Sequence, residues 1–262
     1  MSKDAVLHDI DARGVATVTL NRPEVNNAYD ESVIQGLLDA MDALGARGGV
    51  RAVVLRGAGK HFQAGADLKW IRRVAAQSAE ENERASRATA EAVRRLNELP
   101  LPTVALVQGG CFGGGTGIVA ACDVVVAADN AMFSIAETRW GLMAGIILPQ
   151  LADAIGARQV RRYALTGERF GAEEARRIGL VHEVVPLAGL EAAGARLVGQ
   201  LLQNAPEANA ETKRVALEFA WGSVDESVFD RLVGQHAAKR RSSEAAEGLA
   251  SFAEKRPARW AA

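Results

Sequence analysis

The segment from Val104 to Gly117, VALVQGGCFGGGTG, constrains this chain most: apolar residues, then six glycines within nine positions, then an apolar stretch resuming at Ile118. It reads as a buried strand, a backbone-exposing turn and a helix start. Glycine tolerates φ > 0 and lets a ligand approach the main chain, while the first N–H groups of a helix have no intrahelical acceptor. Such a turn either receives developing negative charge or lets two elements pack too closely for side chains, and this segment alone is compatible with both.

A second turn of the same kind precedes it. Arg51–Arg56 (RAVVLR) is a short apolar strand, followed by Gly57, Gly59 and the stretch HFQAGADLKW from His61 to Trp70. Two main-chain N–H groups from neighbouring strand ends, aimed at one point, form an oxyanion hole able to hold an enolate or a tetrahedral oxyanion. A proton carrier must accompany them. Glu137, in MFSIAETRWGL, lies beyond a further apolar strand, CDVVVAA (Cys122–Ala128), and is flanked by Ile135, Ala136 and Trp140. Partial desolvation there raises a carboxyl pKa toward a useful acid/base range, whereas a glutamate at an exposed helix start would do nothing of the kind.

The charge balance narrows the partners. With 31 basic and 32 acidic residues the formal charge is −1, so no global field draws nucleic acid or an anionic membrane. Cys111 and Cys122 sit in glycine-rich or apolar context, which favours reduced, buried thiols and a reducing cytoplasm. No stretch has the composition of a signal peptide or the ~20 apolar residues of a membrane span. His8, His61, His182 and His236 are scattered and no G-x-S-x-G occurs, so metal and nucleophilic-serine schemes have no support.

Periodicity sets the order of elements. Ala5–Ile10 and Val15–Leu20 alternate around Asp11–Gly14 and predict a β-hairpin. Asp30 is a candidate N-cap for a helix with the stripe Val33, Ile34, Leu37, Leu38, Met41 and Leu44, stopping at Gly45. Ser78 and Glu81 form a capping box before a second helix that Pro100 and Pro102 end. Strands near 51–56, 103–108 and 122–128 alternate with helices, which predicts an α/β fold. Helical segments follow at Ile146–Ile155, Val160–Leu165 and Ala172–Ile178, then a short strand at His182–Val185 and late helices with thin apolar stripes. The chain is read as a core over 1–195 and a helical region over 196–262, which caps its own core or packs on a neighbouring subunit.

These residues carry a family pattern. TLNRPEVNNAYD (Thr19–Asp30), RAVVLRGAGKHFQAGADL (Arg51–Leu68), LPTVALVQGGCFGGGTG (Leu101–Gly117), ACDVVVAADNAMFSIAETRWGL (Ala121–Leu142) and SFAEKRPARW near the end resemble, in this order, the enoyl-CoA hydratase/isomerase (crotonase) superfamily. The resemblance implies a spiral of ββα repeats with a C-terminal helical trimerisation region, in a homotrimer or hexamer. It implies an acyl-CoA thioester as substrate, with coenzyme A part of that substrate and no separate cofactor or metal. The oxyanion donors map onto the N–H groups of Ala66 and Gly114. Backbone groups of Ala64, Ala66, Asp67 and Leu68 would meet the adenine end. Lys255 matches a lysine that reaches coenzyme A on the adjoining subunit, and His236 falls where relatives carry an aromatic residue near adenine.

One departure matters. Two-glutamate hydratases carry a first glutamate two residues after the glycine triplet; here that position is Gly117, and only the second, Glu137, is present. Single-glutamate members include Δ3,Δ2-enoyl-CoA isomerases and hydratases of branched glutaconyl-CoA thioesters. The runs HFQAGADLKW, FSIAETRWGL and LLQNAPEA look most like the 3-methylglutaconyl-CoA hydratases, with Arg139 a candidate partner for the substrate's distal carboxylate. A non-catalytic acyl-CoA-binding relative is the remoter alternative. A dinucleotide reading of Gly115–Ala120 as G-x-G-x-x-A, trailed by Asp129, fits poorly, because the loop before Gly115 is long for the tight first turn.

Overall fold

The expected first hairpin is present. β1 (Val6–Ile10) pairs antiparallel with β2 (Val15–Leu20), and β2 turns Val18 and Leu20 fully inward. Burial alternates in β2 but not in β1, where Leu7, His8 and Asp9 are all exposed. The computed structural model describes residues 4–220, 227 and 243–260.

From β2 the chain repeats one move: a strand in a large sheet, a short extended piece in a second layer, then a helix. β3 (Ala52–Gly57), β4 (Thr103–Val107), β6 (Val124–Ala128) and β9 (Glu183–Val185) join β2 in parallel, giving the sheet order β1-β2-β3-β4-β6-β9. The second layer holds β5 (Gly110–Phe112), β7 (Met132–Ser134) and β8 (Phe170–Gly171). Single bridges extend it, Gln63 pairing with Cys111 and Tyr29 with Ala66. This is a spiral of ββα turns.

Period-2 alternation sorts the large sheet's side chains between two faces. Val53, Leu55, Ala105, Val107 and Val125 join the main core, whereas Val54, Val104, Leu106 and Val126 form a second cluster. Helices α1 (Glu31–Ala46) and α3 (Ala79–Glu98) cover the first face, and α7 (Leu190–Leu202) the second through Leu190, Ala193 and Val198. β4 is buried on both faces, which is why it reads as a continuous apolar run.

Local signals fix the helix starts. Asp30 accepts from the Ser32 and Val33 N–H groups at the head of α1, and Ser78 and Glu81 cap α3 reciprocally. α1 runs one residue past Gly45, so that glycine does not stop it. The segments 146–155 and 160–165 are one helix, α5 (Leu148–Thr166), broken at Gly156, whose φ of 74° only glycine adopts freely. α6 (Ala172–Ile178) ends at Gly179, as its left-handed C-cap requires.

The position where the core was expected to give way to the helical region, between 195 and 196, falls inside α7. Beyond it, α8 (Pro206–Phe219) and α9 (Ser243–Glu254) are tied to the same chain. Arg51 donates to the carbonyls of Leu202 and Trp260 at 2.9 Å each, and Lys213 reaches Asp123 at 2.8 Å. Cys111 and Cys122 are buried free thiols. No helix among the described residues is long and apolar enough to cross a membrane.

Candidate active site

Stacked turns of a spiral bring successive strand ends into line, and the site lies where they meet. β3 delivers the Gly65–Ala66 turn, β5 the Gly113–Gly114 turn, and β7 the segment ending at Glu137. Gly65, at φ 89°, turns the chain so that its carbonyl accepts from the Tyr29 N–H, while the Asp67 N–H donates to the Tyr29 carbonyl, both at 2.8 Å. Gly113, at φ 51°, donates its N–H to the Ser134 carbonyl at 2.8 Å. Between these anchors the N–H groups of Ala66 and Gly114 have no acceptor among the described residues. Gly114 opens helix α4 (Gly114–Ala120), so its N–H also carries the positive end of a short helix.

Glu137 completes the arrangement. It begins a 3-10 turn, Glu137–Trp140, held by the Leu142 N–H donating to the Glu137 carbonyl at 3.0 Å. A Cβ built on Gly113 would stand 3.0 Å from Glu137 Oε1, so any side chain there would crowd the carboxylate. Glu137 Oε2 is buried without a hydrogen-bond partner. Burial raises the carboxyl pKa, because the charged form is the one that loses solvation.

These groups open into one cavity of about 770 Å³, lined by Ala64, Ala66, Leu68, Gly114 and Glu137 together with Tyr29, Trp70, Phe112 and residues of α3. Among its lining residues Glu137 alone is charged, and the other polar side chains include Tyr29, Asn82, Ser86 and Thr89. The candidate trio Ala66, Gly114 and Glu137 is therefore brought together with Ala64 and Leu68, which with Ala66 were assigned to the adenine end. Asp67 is not in the lining: its carboxylate caps α2 (Leu68–Ala75) through the Lys69 and Trp70 N–H groups. Lys255 sits just past α9, exposed, at φ 53°. His236 lies outside the described residues.

One expectation is corrected, and one poor fit is excluded. Arg139 does not reach the cavity; its Nε stands 2.7 Å from where a Cβ on Gly167 would be, on the far side of the 3-10 turn. Three residues per turn place positions two apart on different sides, so Glu137 and Arg139 cannot both face inward. The Gly115–Ala120 pattern lies within α4 and is almost wholly buried, which leaves no phosphate-binding turn there.

Two further residues escaped sequence reasoning. Gly117 is blocked: a Cβ there would meet Ile147 Cγ2 at 2.3 Å and Cβ at 2.5 Å, so Ile147 occupies the room a carboxylate at that position would need. Tyr29 lines the cavity beside Gly114, where a Cβ would meet its ring Cε1 at 2.6 Å. The turn that presents Tyr29 is pinned by Asn27, fully buried, whose carboxamide nitrogen donates to the Ala58 and His61 carbonyls at 2.8 Å each. The NNAY run was legible as a motif, but not as the wall of a cavity formed with residues 85 positions later.

A family model described as enoyl-CoA hydratase/isomerase matches residues 11–262. The chain belongs to the enoyl-CoA hydratase/isomerase family. It is 38% identical to a Thermus thermophilus protein assigned provisionally as an enoyl-CoA hydratase, over 94% of this chain and 97% of that one. It is 34% identical to the hydroxycinnamoyl-CoA hydratase-lyase of Pseudomonas fluorescens, over 84% and 82%. The crystal structure of an enoyl-CoA hydratase from Shewanella pealeana superposes with a TM-score of 0.94 at 33% identity, covering 98% of this chain and 96% of that chain. The protein is thus an enzyme of the enoyl-CoA hydratase/isomerase family, built on the crotonase fold, and an acyl-CoA substrate is consistent with that family.

Proposed function

We infer that the protein adds water across the 2,3 double bond of an enoyl-CoA. The observation that carries this reading is the buried, unpartnered Oε2 of Glu137 in one cavity with two turns that each offer an unclaimed N–H donor. In the proposed reaction the thioester carbonyl oxygen accepts from the Ala66 and Gly114 N–H groups. The water oxygen bonds to C3, the π pair of C2=C3 shifts toward the carbonyl as an enolate, and Glu137 takes the proton that water releases. The enolate then collapses, C2 takes that proton from Glu137, and the carboxylate is restored. The N–H groups stabilise charge only as it forms, which lowers the barrier more than it tightens substrate binding.

The lining supports an uncharged, bulky acyl chain. A distal carboxylate would enter a wall without a basic side chain among its described residues, and an unpaired buried charge is costly. The motif runs favour 3-methylglutaconyl-CoA, and Arg139 no longer supports that choice. A second reading, Δ3,Δ2-isomerisation, is favoured by one observation: Ile147 leaves no room for a second carboxylate at 117, and one carboxylate suffices to move a proton from C2 to C4. The chain also carries the helical region for which the resemblance implies a trimer or hexamer, and we extend that assembly to this protein.

The test is a substrate panel: crotonyl-CoA, a longer uncharged 2-enoyl-CoA, 3-methylglutaconyl-CoA and a 3-enoyl-CoA, followed by thioester absorbance and product mass. The account expects water gain on the longer uncharged 2-enoyl-CoA above all. Efficient migration in the 3-enoyl-CoA with no hydration anywhere would replace it with the isomerase, and a preference for 3-methylglutaconyl-CoA would overturn the uncharged chain.

A further inference from the structure

The blocked carboxylate position raises the question of what else holds the attacking water. Two side chains converge on the adjacent glycines of the oxyanion turn. Glu137 Oε1 lies 3.0 Å from the Cβ position of Gly113, and the hydroxyl-bearing Cζ of Tyr29 lies 3.3 Å from that of Gly114. Both side chains line the cavity beside the oxyanion donors, and the Glu137 charge acts on the Tyr29 phenol. Glu137 Oε2 is buried without a partner. Buried polar groups are ordinarily paired, so an unclaimed carboxylate oxygen in a cavity wall that also carries a phenol marks a place where a ligand is held.

The ring itself is fixed. Tyr29 packs edge-on against Trp70 with centroids 5.7 Å apart, and its backbone is locked on both sides to the Gly65–Asp67 turn. Its position is therefore set by the same hydrogen bonds that aim the Ala66 N–H.

We propose that Tyr29 is a catalytic residue, its hydroxyl oxygen accepting one O–H of the attacking water while Glu137 accepts the other. That pair of acceptors turns a lone pair of the water toward C3, the task that a carboxylate at 117 would otherwise share. Glu137 takes the single proton that the reaction moves, and the phenol keeps its own. Burial and the Glu137 charge push the phenol up to about 12, so it stays neutral across the working range and does not compete for that proton.

The inference rests on the hydration reading, and its test separates the two. Tyr29→Phe keeps the ring against Gly114 and Trp70 and removes only the hydroxyl. Two reactions are compared in the unmutated protein and the variant: hydration of the best 2-enoyl-CoA, and exchange of the C2 protons of the saturated acyl-CoA with D2O. Exchange uses Glu137 and the two N–H donors but no attacking water. Hydration kcat is expected to fall about 10–10²-fold at nearly constant KM, with exchange unchanged. Unchanged hydration, or equal losses in hydration and exchange, overturns the role given to Tyr29 and leaves hydration by Glu137 intact. An unmutated protein that exchanges C2 protons yet hydrates no enoyl-CoA overturns both.

Discussion

Two carboxylates in this molecule are taken out of water and meet opposite treatment. Glu247, on α9, is 7% exposed and lies against two guanidinium groups, with Arg256 at 2.7 Å and Arg259 at 3.2 Å. It also accepts from the Arg259 N–H, and these partners hold its carboxyl down to about 2. Glu137 sits in the cavity wall with one oxygen unpartnered, and burial alone drives its carboxyl upward. The first arrangement stabilises the charged form and joins the chain's end to α9. The second leaves the charged form poorly served, which makes the carboxylate readier to hold a proton than an exposed one. On the proposed reading, stability and chemistry are segregated to different regions.

The sharpest way to break that contrast is to attack the oxyanion donors. Ala66→Pro removes one N–H at a position that already carries a Cβ, and is expected to cost about 10²–10³ in kcat. Stopped-flow turnover, with circular dichroism to confirm the fold, checks it. Gly114→Pro is the poorer test, because its Cβ would also strike Tyr29 at 2.6 Å.

Restoring the first glutamate tests the crowded wall. Gly117→Glu drives a side chain into Ile147 and is expected to lose about 1–3 kcal/mol in urea unfolding, the usual range for overpacking. Pairing it with Ile147→Ala should recover part of that loss and raise crotonyl-CoA hydration. A stable single variant would show that Ile147 moves aside freely.

Smaller effects separate the two carboxylates by pH. Glu247 has a lowered folded pKa, so its stabilising contribution is present above the ordinary carboxyl range and is lost as pH falls toward about 2. Glu247→Gln should therefore lower Tm at neutral pH, with the difference shrinking in acid. Glu137 has a raised folded pKa, so its contribution is fully present below the unfolded value and is lost as pH rises through the folded one. Glu137→Gln should raise Tm slightly at neutral pH, with the gain vanishing in acid. Parallel melting curves at several pH values decide whether the two differences run in opposite directions.

What was legible in the sequence follows the range of the interaction involved. Strand alternation in β2, the Asp30 and Ser78 caps and both glycine turns depend on neighbours within a few residues, and each stands where the pattern placed it. Glu137 was legible because its spacing from the glycine triplet is a motif. Tyr29 was not, since its proximity to Gly114 arises from a bridge to Ala66 across one turn of the spiral. Ile147 was hidden for the same reason, filling the space over Gly117 from the segment before α5. Arg139 misled because the sequence shows it two residues from Glu137 but not the tight turn that sends it toward Gly167.

The central claim is that Glu137 carries the proton while the two turns bind the thioester. Glu137→Gln keeps the size of the side chain and removes the titratable group, so turnover of the best 2-enoyl-CoA and the Kd of its saturated analogue should be measured together. The account predicts a loss of at least ~10²-fold in kcat with the Kd nearly unchanged. Turnover close to that of the unmutated protein, at the same Kd, would contradict it.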